Sequence, residues 1–381
     1  MSQSLHLIVL AYNRPESLRR TLRSLSVAFE HSKLEVSIEL SLEFNSHPDC
    51  ERHFQALAWP IGEKVIHRNV RPLGVDQHTL ECLKRAEAKK WTLLLEDDHF
   101  ASPIMSHALE FLLSTSVSCA GFSLHHYTLH PISELPFIPI DKGGDFYLAK
   151  RPTSRGFLFQ SSQIKSFNAW RTANDGSTVE LPTHLERYGE SNWETVFGKY
   201  LISTNQYILY PYQSYLTVYG EAGVHLTGTD DRTIAQSPMP MVAESLEIAP
   251  QLVHYDEWLE YELTPGELQN LNLPELQSTS VCLDIQGCRK RYATTHVITS
   301  RRVKQSIADF GMDLVPAELN ILYSNSGDEL HLAKSEDVLS DNPISIQKRK
   351  LMLRMYYNQR YSVVELIVNL VRRLFYNKLQ R

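Results

Sequence analysis

Cysteine is scarce in this chain of 381 residues: there are five, scattered, with no Cys-x-x-Cys pair. That spacing excludes a zinc ribbon, a redox dithiol and a small disulfide scaffold, and it predicts a reducing, cytoplasmic setting. Long apolar runs are missing too. Leu5–Ala11 is too short to cross a bilayer, and no window reaches the roughly eighteen uncharged apolar residues of a spanning helix. The first residues carry neither the basic start nor the small-residue cleavage site of a signal peptide, so a soluble protein, peripheral at most, is expected. Positive charge is not in excess. With 38 Lys and Arg against 44 Asp and Glu, the net charge of −6 offers no general attraction to nucleic acid. No internal repeat or low-complexity tract stands out. What is present is 43% apolar residues, enough to bury a sizeable core, in a length suited to two domains or one large domain with an appendage.

The first half alternates strand and helix patterns. Leu5–Tyr12 reads as a buried strand, and Leu18, Leu22, Leu25 and Phe29 recur at helical spacing behind Pro15, a residue tolerated in a first helical turn. Val36–Glu43 reads as a strand followed by a loop through Asn45, Ser46, Pro48 and Asp49. Val65–His67 is a short strand, Leu80, Leu83 and Ala86 mark a helix, and Trp91–Leu95 is a buried strand. Strands separated by helices at this spacing predict βαβ units and a mainly parallel sheet, an α/β fold. Beyond Asp98, helices are expected over 102–114, 161–171 and 183–200, and strands over 120–125 and 207–212. Residues 228–254, rich in Thr, Ser, Pro and Met, read as a linker after a domain over 1–227. A smaller mixed α/β unit is expected over 255–344, with strands at 279–285, 295–299 and 318–323.

Ligands of such sheets sit at the carboxyl ends of the strands. The first strand ends in Ala11-Tyr12-Asn13-Arg14-Pro15, the second near Glu43, and the fourth in Glu96-Asp97-Asp98. Three polar clusters therefore converge on one edge. Consecutive carboxylates after a buried strand are costly unless something positive sits on them. Hard divalent cations such as Mg²⁺ or Mn²⁺ take carboxylate oxygens and share substrate phosphates. The plainer reading of an acidic triplet is a solvated loop; its place at the strand end favours the cation.

Leu7-Ile8-Val9-Leu10-Ala11-Tyr12-Asn13-Arg14-Pro15, an amphipathic helix, and then Leu94-Leu95-Glu96-Asp97-Asp98 together resemble a GT-A fold glycosyltransferase of the family 2 type. The Glu-Asp-Asp form is similar to that of N-acetylglucosaminyltransferase I. The resemblance covers about residues 5–227. It implies a nucleoside diphosphate sugar donor, a UDP-sugar foremost, bound across the sheet edge with Mn²⁺ or Mg²⁺ on its diphosphate. Asp98 would then be the direct metal ligand, Asp97 would face the ribose and the metal's waters, and Glu96 would support the metal loop. Ala11, Tyr12, Asn13 and Arg14 would line the nucleotide pocket. Glu43 stands where the family usually has an Asp against the base or ribose. Arg151-Pro152-Thr153-Ser154-Arg155-Gly156-Phe157 resembles the stretch before the acceptor region, with Arg155 either on the diphosphate or paired with an acid. Glu190-Ser191-Asn192-Trp193-Glu194 resembles the Trp-acid motif of the catalytic base. Glu194 is the base candidate and Glu190 its rival, four residues earlier and expected on the same helical face. Tyr210-Pro211 and Gly220-Glu221-Ala222-Gly223-Val224-His225 resemble the closing segment, with His225 a metal ligand, a phosphate contact or a loop histidine.

The implied activity is inverting transfer of a sugar to an acceptor hydroxyl of a glycan or lipid-linked glycan, as in surface polysaccharide biosynthesis. A non-catalytic nucleotide-sugar or glycan binder on the same fold is the alternative. A nucleotidyltransferase would usually show a glycine-rich loop after the first strand, and residues 11–15 contain no glycine. From Ser345 onward the chain turns strongly basic, with nine Lys or Arg against Glu365 alone. Val363, Ile367, Leu370 and Leu374 recur on one helical face there. Such a basic amphipathic helix over 361–381 suits packing, dimerisation, or peripheral contact with the anionic inner face of a membrane.

Overall fold

The computed structural model describes residues 3–133, 135–174, 178–219, 236–273 and 280–339. Its chain divides into two compact units: Met1–Thr128 with Asp141–Leu259, and Leu129–Ile140 with Glu260 onward.

In the first unit, β1 (Ser4–Ala11), β2 (Glu35–Leu42), β3 (Lys64–Arg68) and β4 (Trp91–Glu96) are parallel neighbours, joined through α1 (Pro15–Phe29), α2 (Pro48–Ala56) and α3 (Gly74–Ala86). Leu5, Leu7, Val9 and Ala11 alternate onto one face of β1, and Val36, Ile38, Leu40 and Leu42 onto the same face of β2. Against that face lie Leu18, Leu22, Leu25 and Phe29 of α1, the stripe that the heptad-like spacing predicts. The opposite face of β2 is polar and nonetheless buried. Its Ser37, Glu39 and Ser41 meet His6, His78, Cys82 and Arg85 in one hydrogen-bonded network beneath α3.

The sheet continues with β6 (Gly121–Ser123), β7 (Phe146–Ala149), β8 (Phe157–Gln160), β9 (Ile208–Pro211) and β11 (His254–Tyr255), in the order β11-β7-β9-β6-β8-β4-β1-β2-β3. β8 runs antiparallel between β4 and β6, and β7 antiparallel beside β9; every other pairing is parallel. The expected α/β fold with a mainly parallel sheet is the one observed. A separate antiparallel pair is formed by β5 (His99–Ala101) and β10 (Leu216–Val218). Helices α4 (Met105–Ser114), α5 (Ser161–Ala173), α6 (Thr183–Glu186) and α7 (Trp193–Thr204) complete the unit.

Several expectations need correction. The loop after β2 contains α2, started by Pro48 at its first position and by His47, whose ring accepts the Asp49 N–H. The helix expected over 183–200 is two helices, α6 and α7, parted by a turn in which Gly189 takes φ +87°. Residues 236–259, expected mostly as linker, belong to the first unit. β11 pairs with β7, the Asp145 N–H donates to the Glu247 carbonyl while the Glu247 N–H donates to the Asp145 carboxylate, and Ser237 N–H donates to Thr217.

The second unit holds a small mixed sheet, β12-β13-β15-β14, formed by Val281–Asp284, His296–Thr299, Leu330–Lys334 and Ala308–Phe310. Among the described residues its helices are α8 (Pro265–Asn270) and α9 (Glu318–Leu322). The strand expected at 318–323 is α9, because Asn320 turns inward. Its side chain accepts the Asp313 and Leu314 N–H groups and donates to the Leu314 and Ala317 carbonyls. Among the described residues no helix is long and apolar enough to cross a membrane. The basic segment 345–381 lies outside the described residues.

Candidate functional site

The carboxyl ends of β1, β2 and β4 meet on one edge, as their parallel order requires. Glu43 N–H donates to the Ala11 carbonyl and His47 N–H to the Tyr12 carbonyl, which draws the loops after β1 and β2 together. After β4 the chain turns sharply. His99 Nδ1 takes the Glu96 N–H, Thr21 Oγ1 donates to the Asp97 carbonyl at 2.8 Å, and the Tyr219 N–H donates to the Asp98 carbonyl at 2.8 Å. β5 and β10 then lock the strand that follows. The acidic triplet is thereby held by its backbone.

The two aspartates are buried and Glu96 is half-buried. Asp97 and Asp98 are 3% and 6% exposed. Arg14, at the start of α1, reaches across to them. One terminal nitrogen donates to Asp98 Oδ2 at 2.7 Å and the other to Asp97 Oδ1, while the Tyr12 N–H also points at Asp97. Burial pushes the Asp97 carboxyl up to about 6, against the pull of Arg14. Glu96 is pushed up to about 8, by burial first and by Asp98 next, with Arg14 opposing and Asp97 and Glu194 adding repulsion. Arg14 itself is raised above its ordinary value by Asp97 and Asp98 despite its burial. Ala11 is buried at the end of β1, and Tyr12 and Asn13 are exposed at the lip.

Glu43 is oriented from below. Its carboxylate accepts the Phe44 and Leu73 N–H groups at 2.8 and 3.0 Å, and His78 Nδ1 lies 3.4 Å from its other oxygen. Burial drives the His78 ring down to about 4, so it is a neutral imidazole at physiological pH. Its Nε2 rests on Ser41.

Glu194 approaches the triplet from α7. Asn192 caps that helix through the Glu194 and Thr195 N–H groups, and Asp76 of α3 takes the Asn192 amide at 2.8 Å and the Trp193 N–H at 3.1 Å. Trp193 is buried beside Phe157 and Phe197, so the motif combines a core tryptophan with an acid at the site. Burial raises the Glu194 carboxyl above its usual range, while Arg151, Arg155 and Ser154 pull it back. Arg151 stacks on the Tyr127 ring at 4.2 Å, contacts His184 at 2.8 Å, and accepts the Tyr210 hydroxyl on its carbonyl. Arg155 lies 3.3 Å from His125 Nε2. The next residue, Gly156, has φ +66°, and a Cβ there would meet Leu216 at 2.1 Å, so only glycine fits the turn.

The structure therefore gathers Glu96, Asp97, Asp98, Arg14, Arg155 and Glu194, with Glu43 further along the edge. It separates Glu190, which precedes α7 instead of sharing a helical face with Glu194. That carboxylate is 87% exposed and paired with Lys199. His225 lies outside the described residues. Arg151, Asp76, His78 and Tyr127 were not singled out from sequence. Arg151 sits inside the quoted Arg-Pro-Thr-Ser-Arg-Gly-Phe stretch; the others carry no local signal.

Among the described residues, no three His, Cys, Asp or Glu converge as a ready metal cage. The donor set nevertheless suits a hard cation that binds through one or two carboxylates and substrate phosphates. Arg14 engages only Oδ2 of Asp98. Asp98 Oδ1 is the oxygen that Arg14 leaves, and Glu96 beside it becomes a donor on losing the proton that its raised carboxyl favours at neutral pH.

No family model matches the chain, and no curated protein does. Solved structures do show similarity. One is the crystal structure of S. aureus TarS 1–349, 12% identical, with 56% of this chain and 60% of that chain covered and a TM-score of 0.38. Another is a putative nucleotide-diphospho-sugar transferase from Desulfovibrio desulfuricans, 12% identical over 55% and 80% of the two chains, TM-score 0.30. A third is the mannosyltransferase PcManGT from Pyrobaculum calidifontis in complex with GDP-Man and Mn²⁺, 14% identical over 42% and 45%, TM-score 0.31. Likenesses this distant are similarities only and leave function to the chemistry of the site.

Proposed function

We propose that this chain is a GT-A-type glycosyltransferase that moves a sugar, with inversion, from a nucleoside diphosphate sugar to an acceptor hydroxyl of a glycan or lipid-linked glycan. The observation that carries the reading is an acidic triplet at a strand end with Glu194, from a separate helix, in electrostatic reach of it and two arginines beside Glu194. Asp98 and Glu96 would hold Mn²⁺ or Mg²⁺. That ion, when bound, supplies positive charge to the leaving diphosphate.

The chain's own groups do the rest. Glu43, held by two backbone N–H groups with neutral His78 beside it, would stand next to the ribose or base of the donor. Glu194 takes the acceptor proton as the hydroxyl attacks the anomeric carbon from the face opposite the leaving group. Its raised carboxyl suits it to hold that proton. A single base suffices for this displacement, in contrast to the paired carboxylates of glycoside hydrolysis. The family-specific features, UDP as nucleotide and the kinship with N-acetylglucosaminyltransferase I, belong to the same proposal, as does catalysis on the cytoplasmic side of a membrane.

The test is release of nucleoside diphosphate from a panel of UDP-, GDP- and dTDP-sugars, with Mn²⁺ and with EDTA, in the presence of glycan acceptors. Metal-dependent, acceptor-stimulated release with one donor supports the transferase. Tight donor binding without turnover supports the non-catalytic binder. Absence of both would end the nucleotide-sugar reading.

A further inference from the structure

A cation already stands between Asp97 and Asp98, and it is Arg14. Its guanidinium does not grip one carboxylate with both arms; it bridges two, with 2.7 Å to Asp98 Oδ2 and a second bond to Asp97 Oδ1. The arrangement is not a surface ion pair, for the three side chains are 23%, 4% and 7% exposed. An exposed pair would contribute little and be screened by salt; a buried, charge-assisted bridge is far stronger. Arginine does not shed its proton, so this positive charge leaves the acids only if the side chain moves. Arg14 is anchored at the lip of β1, one residue before α1, and ends in a long, rotatable stem.

The electrostatics set the terms of that movement. A bare divalent ion approaching Asp98 meets a guanidinium within a few ångströms, a like-charge encounter beside two buried carboxylates. A diphosphate arriving at the same edge offers the guanidinium a second anion of matching geometry. Metal and diphosphate entering together therefore satisfy every charge, and either one alone does not.

We propose that Arg14 is a resident counter-ion that keeps bare divalent metal off the acidic motif and exchanges Asp97 and Asp98 for the donor diphosphate when metal and donor bind together. This rests on the transferase reading above. It makes metal and nucleotide mutually dependent ligands, with a reciprocal gain in affinity.

Calorimetry on the full chain tests it, with Mn²⁺ alone, UDP alone, and each in the presence of the other, for the wild type, Arg14→Met and Arg14→Lys. In the wild type Mn²⁺ alone should bind weakly and UDP should strengthen it. Arg14→Met should bind Mn²⁺ alone about tenfold tighter, ~1.4 kcal/mol, and lose most of the synergy. Arg14→Lys, which keeps the charge but cannot bridge two carboxylates, should fall between. An Arg14→Met protein that melts as a folded chain yet binds Mn²⁺ no tighter than the wild type overturns the proposal. So does a wild type that binds Mn²⁺ equally well with and without UDP, a result that needs no variant. If UDP does not bind with Mn²⁺, and GDP titrated in the same way does not either, the transferase reading and the exchange onto diphosphate both fall. The comparison with Mn²⁺ alone then still decides whether Arg14 guards the acids.

Discussion

Removing Asp76 should damage catalysis from outside the chemistry. Its carboxylate joins α3 to the start of α7, taking the Asn192 amide at 2.8 Å and the Trp193 N–H at 3.1 Å. Asn192 in turn caps α7 through the Glu194 N–H. In Asp76→Ala both donors lose a charged acceptor. Hydrogen bonds to charged groups contribute about 1.5–3 kcal/mol each, and water can partly replace this half-buried one, so the pair should cost about 2 kcal/mol of stability. The capping turn then loosens beside Glu194. A displacement of about 1 Å at a reacting group can cost up to a hundredfold, so kcat should fall about ten- to hundredfold with donor KM nearly unchanged. Asp76→Asn keeps one carbonyl oxygen for the Trp193 N–H and should recover part of the loss. Steady-state kinetics well below the melting temperature, beside thermal melts of the three proteins, make the measurement. If Asp76→Ala melts earlier while kcat stays at the wild-type value, the tie is structural only and the reasoning about Glu194 is wrong.

The other expectations can be stated briefly. Glu194→Gln should lower turnover about a hundredfold or more with donor affinity little changed, whereas Glu190→Gln, altering an exposed carboxylate, should stay near wild type; reversed results would move the base to Glu190. Because burial raises the Glu194 carboxyl and a base must be ionised to act, the acid limb of kcat/KM against pH should lie above the ordinary carboxylate range; a limb at or below pH 4.5 would contradict its role. Asp98→Ala should abolish the Mn²⁺-dependent part of nucleoside diphosphate binding in calorimetry, and an unchanged metal effect would reassign the ligand. In the second unit, Glu318 is 9% exposed and its carboxyl is pushed by burial from 4.5 to about 7. Its raised value means its favourable contribution is complete below pH 4.5 and is lost as pH rises through about 7. Glu318→Gln should therefore stabilise the chain by about 2 kcal/mol at pH 8 and by little at pH 4.5; equal melting shifts at both pH values would refute this.

Fold class and the acidic edge were legible because they depend on local periodicity and on strand order. The alternation of β1, β2 and β4 with α1 and α3 leaves the carboxyl ends of parallel strands on one side, so Arg14, Glu43 and the Glu96–Asp98 triplet had to share an edge. β8 and β7 escaped detection because four-residue strands in an antiparallel addition lack a long apolar signature. The linker over 228–254 failed where its residues pack: β11 is two residues long, and its pairing with β7 comes from a partner more than a hundred positions away. Helix boundaries failed at Gly189, since a left-handed turn can interrupt a pattern whose apolar spacing continues through it.

The sequence by itself determined which residue types crowd the sheet edge, since each lies within a few positions of a strand end. It did not determine their partners. That Arg14 spans Asp97 and Asp98, that Asp76 holds the turn bearing Glu194, and that Glu190 points into solvent are facts of contacts across many residues. Hydrogen bonds and ion pairs form between groups that tertiary packing brings within about 3 Å, and chain spacing carries no record of that distance.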